Sequence, residues 1–407
     1  MKGFPLLKLP YFPLNTALEL MGPKEVFLLI ICSRPLELFI RKFSKYNVDN
    51  LQYVLKEHEA YYSIMKDGIE THIYFNKQKS AKKLPKLTET SDLSVWYKSH
   101  KENKVYCTMK NVFDHSITLT KRLRSLFRPR LVGLQLELNQ LCTVNVLTHL
   151  EQNRGEKNLK ILLIDEQVKR RVLDYVLDNF GGSTQLHCTA NNLCEYSHEN
   201  IFKMGEVFLE DARWITLEKL CSIRSCSRVD LNNTRFDSRD INKFLKYWIE
   251  CDEEVVTYLR IKLKTDAITD EITENLLYGR TANDDFGFVL LSEKPVHNLL
   301  AHVQVKEDEI IFQTVPESYK YHVAIQVMKL LRQKRDFVDE LNSLRQHENE
   351  LRERLNEEEH NDNEQLQSIQ IEKIRIRNLI IDVFALLEGL GYFVPIEERE
   401  QIEEAFL

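Results

Sequence analysis

Glycine is scarce in this chain, with 12 residues in 407. Loops that cradle a phosphate need clustered glycine so that the backbone can close on the ligand. The nearest candidate, Gly389-Leu390-Gly391, lacks a third glycine and follows a helical pattern rather than a strand, so it does not read as a nucleotide loop. Long apolar runs are missing as well. The N-terminal one, Val26 to Cys32, is far shorter than the roughly 20 residues that cross a bilayer. It follows prolines and a Gly-Pro step, not the basic segment of a secretory signal. Neither sign of charge dominates, since 56 basic side chains stand against 62 acidic ones for a net charge of -6. Such a balance offers no general attraction to nucleic acid or to an anionic membrane, and neither is expected as a partner.

The eight cysteines form no paired framework. They are expected to be small apolar core residues of a reduced protein, cytoplasmic or nuclear. Motifs that carry chemistry are absent too. No Gly-x-Ser-x-Gly elbow, no cysteine with a readable histidine partner and no recognisable carboxylate pair occurs. Cys188, Cys194 and His198, with His187 beside them, have Cys-x5-Cys-x3-His spacing, whereas structural zinc usually takes two closely spaced ligand pairs. The expectation is therefore a chain without catalytic residues, metal site or cofactor. The lysine-rich run Lys77 to Lys86 reads as an exposed loop. Lys121, Arg122, Arg124, Arg128 and Arg130, interleaved with Leu123, Leu126 and Phe127, read as the solvated face of an amphipathic helix.

What the chain has in abundance is apolar periodicity. Residues 4–46 are the densest stretch. Leu14, Leu18 and Met21 mark one face of a short helix. Gly22 stops that helix, and Pro23 opens the next. Ser33 can cap a third helix, with Leu36, Phe39, Ile40 and Phe43 on one face. So small a module cannot bury this much apolar surface by itself, and it needs either the rest of the chain or another protein. The residues Phe4-Pro5-Leu6-Leu7-Lys8-Leu9-Pro10, Pro13-Leu14, Leu20-Met21, Pro23, Glu25 and Cys32-Ser33 resemble an F-box of the nematode F-box-B type. The resemblance implies docking to the Skp adaptor of a cullin-RING ubiquitin ligase, through Leu9, Pro10, Pro13, Leu14, Leu20 and Met21. A plain helical cap over the following domain is the alternative.

The strand template of leucine-rich repeats recurs in the middle of the chain. It fits Leu131, Leu134, Leu136, Asn139 and Leu141 fully, and Leu159, Leu162, Ile164 and Gln167 more loosely. Further fits are Leu186, Cys188, Asn191 and Leu193; Met204, Val207, Leu209, Ala212 and Trp214; and Cys226, Val229, Leu231, Thr234 and Phe236. Val256, Leu259 and Ile261 begin a last unit that loses its second half. Helical stripes lie between them, among them Val144, Leu147 and Leu150, then Val172, Val176 and Leu177. A strand–helix unit has one apolar face that it hides only by stacking on a neighbour. A non-repeating α/β sheet with the same alternation is the alternative. Arg213-Trp214-Ile215-Thr216-Leu217-Glu218, Phe244-Leu245-Lys246-Tyr247-Trp248-Ile249 and Tyr258-Leu259-Arg260-Ile261 also resemble the type-2 F-box-associated domain, in which the first of these segments opens a helix. Residues 286–315 resemble that family's closing hairpin.

From about residue 317 the pattern turns to heptads. Val327, Leu330, Phe337, Leu341, Leu344, Leu351 and Leu355 alternate by threes and fours, with Lys334 and Glu348 interrupting. A polar tract follows, and Leu366, Ile369, Ile376, Ile380, Val383, Leu387 and Leu390 resume the spacing. Folding back as a hairpin and dimerising as one long helix both satisfy this pattern, and the segment reads as an appendage to the repeats.

The fold expected is α/β: a helical F-box-like module over 1–46, connecting strands and a helix over 47–130, a leucine-rich-repeat-like strand–helix solenoid over 131–315, and a helical hairpin over 317–407. The function the resemblance implies is a substrate-recognition adaptor of an SCF-type ubiquitin ligase, partnered by the Skp adaptor, through it a cullin, and a protein substrate. A repeat scaffold that recruits no ligase is the alternative. Substrate is expected on residues between the inward strand positions: Gln135, Leu163, His187, Phe208, Asp230 and Arg260, with Glu137, Asp165, Thr189, Glu210, Asn232 and Lys262 beside them. Phe208 gives this polar face an aromatic centre of the kind that interfaces favour.

Overall fold

Helices and strands make up most of the described residues, which are 9–392 apart from 44–45, 57–58, 78–85, 90–92, 97–102, 110–111, 138–142, 155–158, 165–168, 194, 225, 254, 281–286, 293–299, 316–321 and 356–362. In this computed structural model the chain is mixed α/β and divides into two units, Met1–Arg235 and Phe236–Leu407.

The first unit opens with α1 (Tyr11–Glu19), α2 (Pro23–Cys32) and α3 (Arg34–Phe43). Leu14 and Leu18 of α1 are buried, Pro23 starts α2, and Ser33 Oγ accepts a hydrogen bond from the Leu36 N–H at 3.4 Å, as the spacing predicts. Then come β1 (Val48–Leu55), β2 (Glu59–Lys66), β3 (Ile69–Lys77), β4 (Lys86–Glu89), β5 (Leu93–Trp96), β6 (Lys104–Met109) and α4 (Val112–Phe127). The remainder alternates: β7 (Pro129–Glu137), α5 (Thr143–Gln152), β8 (Leu159–Ile164), α6 (Arg170–Asn179), β9 (Gln185–Cys188), β10 (Glu206–Leu209), α7 (Leu217–Cys221) and β11 (Arg228–Leu231). Its sheet runs β11-β10-β9-β8-β7-β1-β2-β3-β6-β5-β4. Strands β7 to β11 are parallel neighbours in chain order, and β1 runs parallel to β7.

Two-residue periodicity explains which face is covered. Leu134 pairs with Ile161, Ile161 with Leu186, Leu186 with Val207, and Val207 with Val229, and all five are buried. The template placed Leu162 in this row, one residue out of frame. Leu159, Ile161 and Leu163 are the buried residues of β8, while Leu162 and Ile164 are only partly covered. A run of Leu-Lys-Ile-Leu-Leu-Ile has apolar residues on both faces, so alternation alone does not choose the frame. Asn139, Leu141, Asp165 and Gln167 lie outside the described residues.

Strands β1 and β2 do not stand out in the sequence, yet the turn that follows β2 is legible. Asp67-Gly68 separates β2 from β3, with φ of 51° and 77°, the pair of left-handed conformations that a two-residue hairpin turn requires. Helix α4 covers β1, β2, β3 and β6, and the Tyr62 hydroxyl hydrogen-bonds Thr120 Oγ1 of that helix at 2.5 Å.

The second unit contains α8 (Ser238–Glu250), β12 (Tyr258–Lys262), α9 (Thr269–Thr273), β13 (Tyr278–Arg280), β14 (Gly287–Leu291), β15 (Leu300–Val305), β16 (Glu309–Val315), α10 (His322–Leu355) and α11 (Asn363–Gly389). Its strands are ordered β13-β14-β15-β16-β12 and pair antiparallel. Phe244 and Trp248 of α8 meet the Phe312 ring edge-on, at 5.6 and 5.3 Å. An Asp237/Asp240 capping box starts α8.

Helices α10 and α11 fold back on each other as a hairpin, and both interruptions of the heptads find partners across it. Glu348 is buried and accepts from Lys373 Nζ at 2.9 Å and from Arg352 at 2.6 Å. The Lys373 ammonium beside it holds its carboxyl below the usual range, outweighing burial, with Arg352 helping. Lys334 Nζ lies 5.9 Å over the Phe384 ring. The hairpin is no appendage. Val327, Met328 and Leu331 pack with Leu291 of β14, and Ile325 packs with Leu300 and Val315. Deleting residues 317–407 is therefore expected to abolish the cooperative thermal transition of the second unit, because each uncovered leucine or valine forfeits about 1.5–3 kcal/mol. A truncated chain whose circular dichroism melts as sharply as the full one in that unit would contradict this.

Candidate functional site

In the first unit the residues opposite the buried row face away from the helices. The parallel register sets Gln135 beside Leu162, Leu162 beside His187, His187 beside Phe208, and Phe208 beside Asp230. Gln135, His187 and Phe208 thus share one row, as expected from the sequence. His187 and Phe208 stack with ring centroids 4.6 Å apart. Gln135 Oε1 accepts from Gln52 Nε2 at 2.8 Å.

Three of the expected contacts need correcting. Leu163 is buried on the helix side, and Leu162 takes its place in the row. Asp230 is the β11 member of the row but is itself buried, so it supports the face more than it offers a contact. Arg260 belongs to the second unit, where its guanidinium is held by Glu309 of β16 at 2.7 and 2.5 Å. That pairing lowers the Glu309 carboxyl below its usual range despite burial. Of the outer neighbours, Glu137 pairs with Lys56 at 2.8 Å, Asn232 Nδ2 donates to Glu210 Oε2 at 3.1 Å, and Lys262 pairs with Asp308 at 3.2 Å in the second unit. Thr189 Oγ1 donates to the Leu163 carbonyl at 3.3 Å.

The row extends further than the repeat template reaches. Val54 pairs with Gln135 and with Tyr61, Tyr61 with Tyr74, and Tyr74 with Tyr106. Tyr74 and Tyr106 stack at 5.2 Å, and Tyr61 lies 5.1 Å from Tyr74. The Asp67-Gly68 turn between two alternating runs was the signal for this tyrosine ladder. Lys160 and Arg228 occupy the same face as His187. Burial, followed by these two cations, lowers the His187 imidazole to about 4. Cys107, Cys188 and Cys226 are buried, and burial pushes the Cys226 thiol up to about 12. Cys194 lies outside the described residues. Among the described residues no three histidine, cysteine or acidic side chains are grouped as ligands for an ion. A face of stacked rings, amides and mixed charge can grip a surface, with the aromatic rings supplying most of the contact area.

The N-terminal helices present a second surface. Pro10 and Pro13 are exposed, Leu9 and Met21 are partly covered, and Leu20 is 84% exposed. Leu14, expected among the docking residues, is only 2% exposed and packs inside the module, since it shares the inner face of α1 with Leu18. The spacing overlooked an exposed aromatic group. Tyr11 touches Phe12, Phe39 and Phe43 at 5.3, 5.8 and 6.1 Å, and Phe12 is 78% exposed. The opposite side of the module is tied to the sheet domain. Arg122 of α4 donates to both carboxylate oxygens of Glu37, at 2.8 and 2.6 Å, and Lys66 Nζ donates to the Glu19 carbonyl at 2.6 Å.

Around Trp214 the chain is held by one buried carboxylate that the sequence does not advertise. Asp211 accepts from the Leu193 N–H at 2.7 Å and from Arg213 Nε and Nη2, both at 2.8 Å. Burial would raise its carboxyl, but the Arg213 guanidinium and the Leu193 and Arg213 backbone N–H groups outweigh that and hold it below the usual range. Trp214 Nε1 donates to the Asp211 carbonyl at 3.2 Å, Tyr196 meets the indole edge-on at 4.8 Å, and Lys219 Nζ lies 5.1 Å over it. Thr216 caps α7 by accepting from the Lys219 N–H, as its position suggests.

Residues 197–261, which include Asp211, Arg213, Trp214 and Lys219, match the protein family described as F-box associated. The chain is 22% identical over 262 residues to the Skn-1 dependent zygotic transcript 15 protein of Caenorhabditis elegans, a match that covers 61% of this chain and 76% of that one. It is 21% identical over 286 residues to an uncharacterized protein of the same nematode, covering 65% of this chain and 63% of the relative. A shorter match, 27% over 84 residues, is to the nematode E3 ubiquitin-protein ligase hecw-1 and covers 21% of this chain and 7% of that protein. No solved structure gives a significant match.

Two measurements follow from the geometry. Asp211→Asn is expected to destabilise the first unit by roughly 2–3 kcal/mol, the scale of hydrogen bonds to a buried charge, read as the urea midpoint at neutral pH. A midpoint equal to that of the unchanged chain would refute the role given to Asp211. Because the unfolded chain protonates His187 before the folded one does, stability falls as pH drops from about 6.5 towards 4. His187→Phe is expected to flatten that slope, and an identical pH dependence in both proteins would remove His187 as its source.

Proposed function

We propose that the chain is a substrate-recognition adaptor of an SCF-type ubiquitin ligase and performs no catalysis of its own. The observation that carries this reading is the F-box-associated segment at 197–261, in a chain that also has an exposed apolar surface on its N-terminal helices. The N-terminal helices dock the Skp adaptor, with Leu9, Pro10, Pro13, Leu20 and Met21 joined by Phe12 and Tyr11. Leu14 contributes by holding α1 in place. The open face of β7 to β11, centred on His187 and Phe208, binds a protein substrate in the manner of a leucine-rich-repeat surface. The short likeness to a protein named as a ubiquitin ligase fits the same setting.

The Glu37–Arg122 pair favours a second reading, in which the helices only cap the sheet domain and the protein is a scaffold without a ligase. Co-purification separates the two. Phe12→Asp with Leu20→Asp alters side chains that are exposed in the free chain, so the double variant is expected to fold normally and to lose capture by a Skp adaptor. No capture by the unaltered chain would leave the scaffold reading standing, and full retention by the double variant would remove these side chains as the docking surface.

A further inference from the structure

Helix α11 carries two heptad seams, and the hairpin uses one. Leu366, Ile369, Lys373, Ile376, Ile380, Val383 and Leu387 alternate by threes and fours, and the five of these that are aliphatic from Ile369 onward are buried. Displaced around the same helix, Ile371, Ile374, Asn378, Ile381 and Ala385 repeat the same alternation. All five are exposed, with Ile371 at 68%, Ile374 at 57% and Ile381 at 49%. Three exposed isoleucines on one stripe about 21 Å long form a coiled-coil face turned away from α10.

Its polar residues say what fits it. Asn378 stands at an a position, and an amide both donates and accepts, so it pairs with another copy of itself. An asparagine there fixes register and orientation in parallel coiled coils. In an antiparallel pairing an a residue meets a d residue, which would set Asn378 against an isoleucine and strand its amide. The flanking charges agree with the parallel arrangement. Arg377 is a g residue and Asp382 the e residue five positions on, the spacing at which g of one strand meets e of the other. A two-fold symmetric pair makes that contact twice, once in each direction.

We propose that the chain self-associates as a parallel dimer through Ile371, Ile374, Asn378, Ile381 and Ala385 of α11, so that the two α11 helices pair with each α10 on its outer side. Two heptads are too few to hold isolated peptides together. Here the helix is already built and braced by α10, so association does not bear the cost of forming it. The dimer is accordingly reversible and depends on concentration.

Sedimentation velocity of the full chain over a hundredfold range of concentration is expected to show monomer passing into dimer. Ile374→Asp with Ile381→Asp is expected to weaken association at least tenfold while leaving the thermal melt unchanged, because both side chains are exposed in the single chain. Asn378→Cys is expected to give a disulfide-linked dimer on mild oxidation, and the unaltered chain and Leu386→Cys, off the seam, are not. A monomer at every concentration overturns the proposal, whether another protein or residues 393–407 of the same chain cover the seam. A dimer that survives the double aspartate variant also overturns it, and failure of Asn378→Cys to cross-link rules out the parallel arrangement.

Discussion

The parallel register of β7 to β11 is the constraint on which the rest of the first unit depends. Once Leu134, Ile161, Leu186, Val207 and Val229 stand side by side under the helices, their neighbours are forced onto the open face. A slip of one residue in β9 or β10 would put His187 or Phe208 into the core and an aliphatic residue into water. Burial of the inner row therefore writes the chemistry of the outer one. The stacked His187–Phe208 pair exists because two strands with different sequences share a single register.

Buried charge does the local fastening. Asp211, Glu37 and Glu348 are each taken out of water and each compensated by an arginine or lysine with good geometry. A buried ion pair adds little net stability over an apolar pair, but removing one partner leaves the other stranded. These contacts thus act mainly on specificity. Asp211 fixes the turn before Trp214, Glu37 fixes the N-terminal helices against α4, and Glu348 with Lys373 sets the register of the hairpin. The N-terminal module is covered on one side by the chain itself and leaves an aromatic side bare, which is how it both packs and docks under the proposed function.

Much of the local structure was legible because it rests on short-range chemistry. Pro23 at a helix start, Ser33 and Thr216 as caps, and the buried rows of β9, β10 and β11 all follow from residues within a few positions of one another. Strand β8 was misframed because both of its faces are apolar, and only packing against its neighbours chose Ile161 over Leu162. The tyrosine ladder went unseen because Tyr61, Tyr74 and Tyr106 are remote in sequence and meet only when β2, β3 and β6 pair.

By itself the sequence determined element type, the heptad hairpin's two halves and the likeness of its middle segment to an F-box-associated domain, because periodicity and motif are properties of contiguous residues. Tertiary structure alone decided that Leu162 and the tyrosines Tyr61, Tyr74 and Tyr106 join the outer row. It buried Leu14 and Asp230, assigned Arg260 to Glu309 and turned Lys373 toward Glu348. Each of those outcomes depends on a partner 25 or more residues away, or on a whole packed layer, and no local pattern encodes the distance to it.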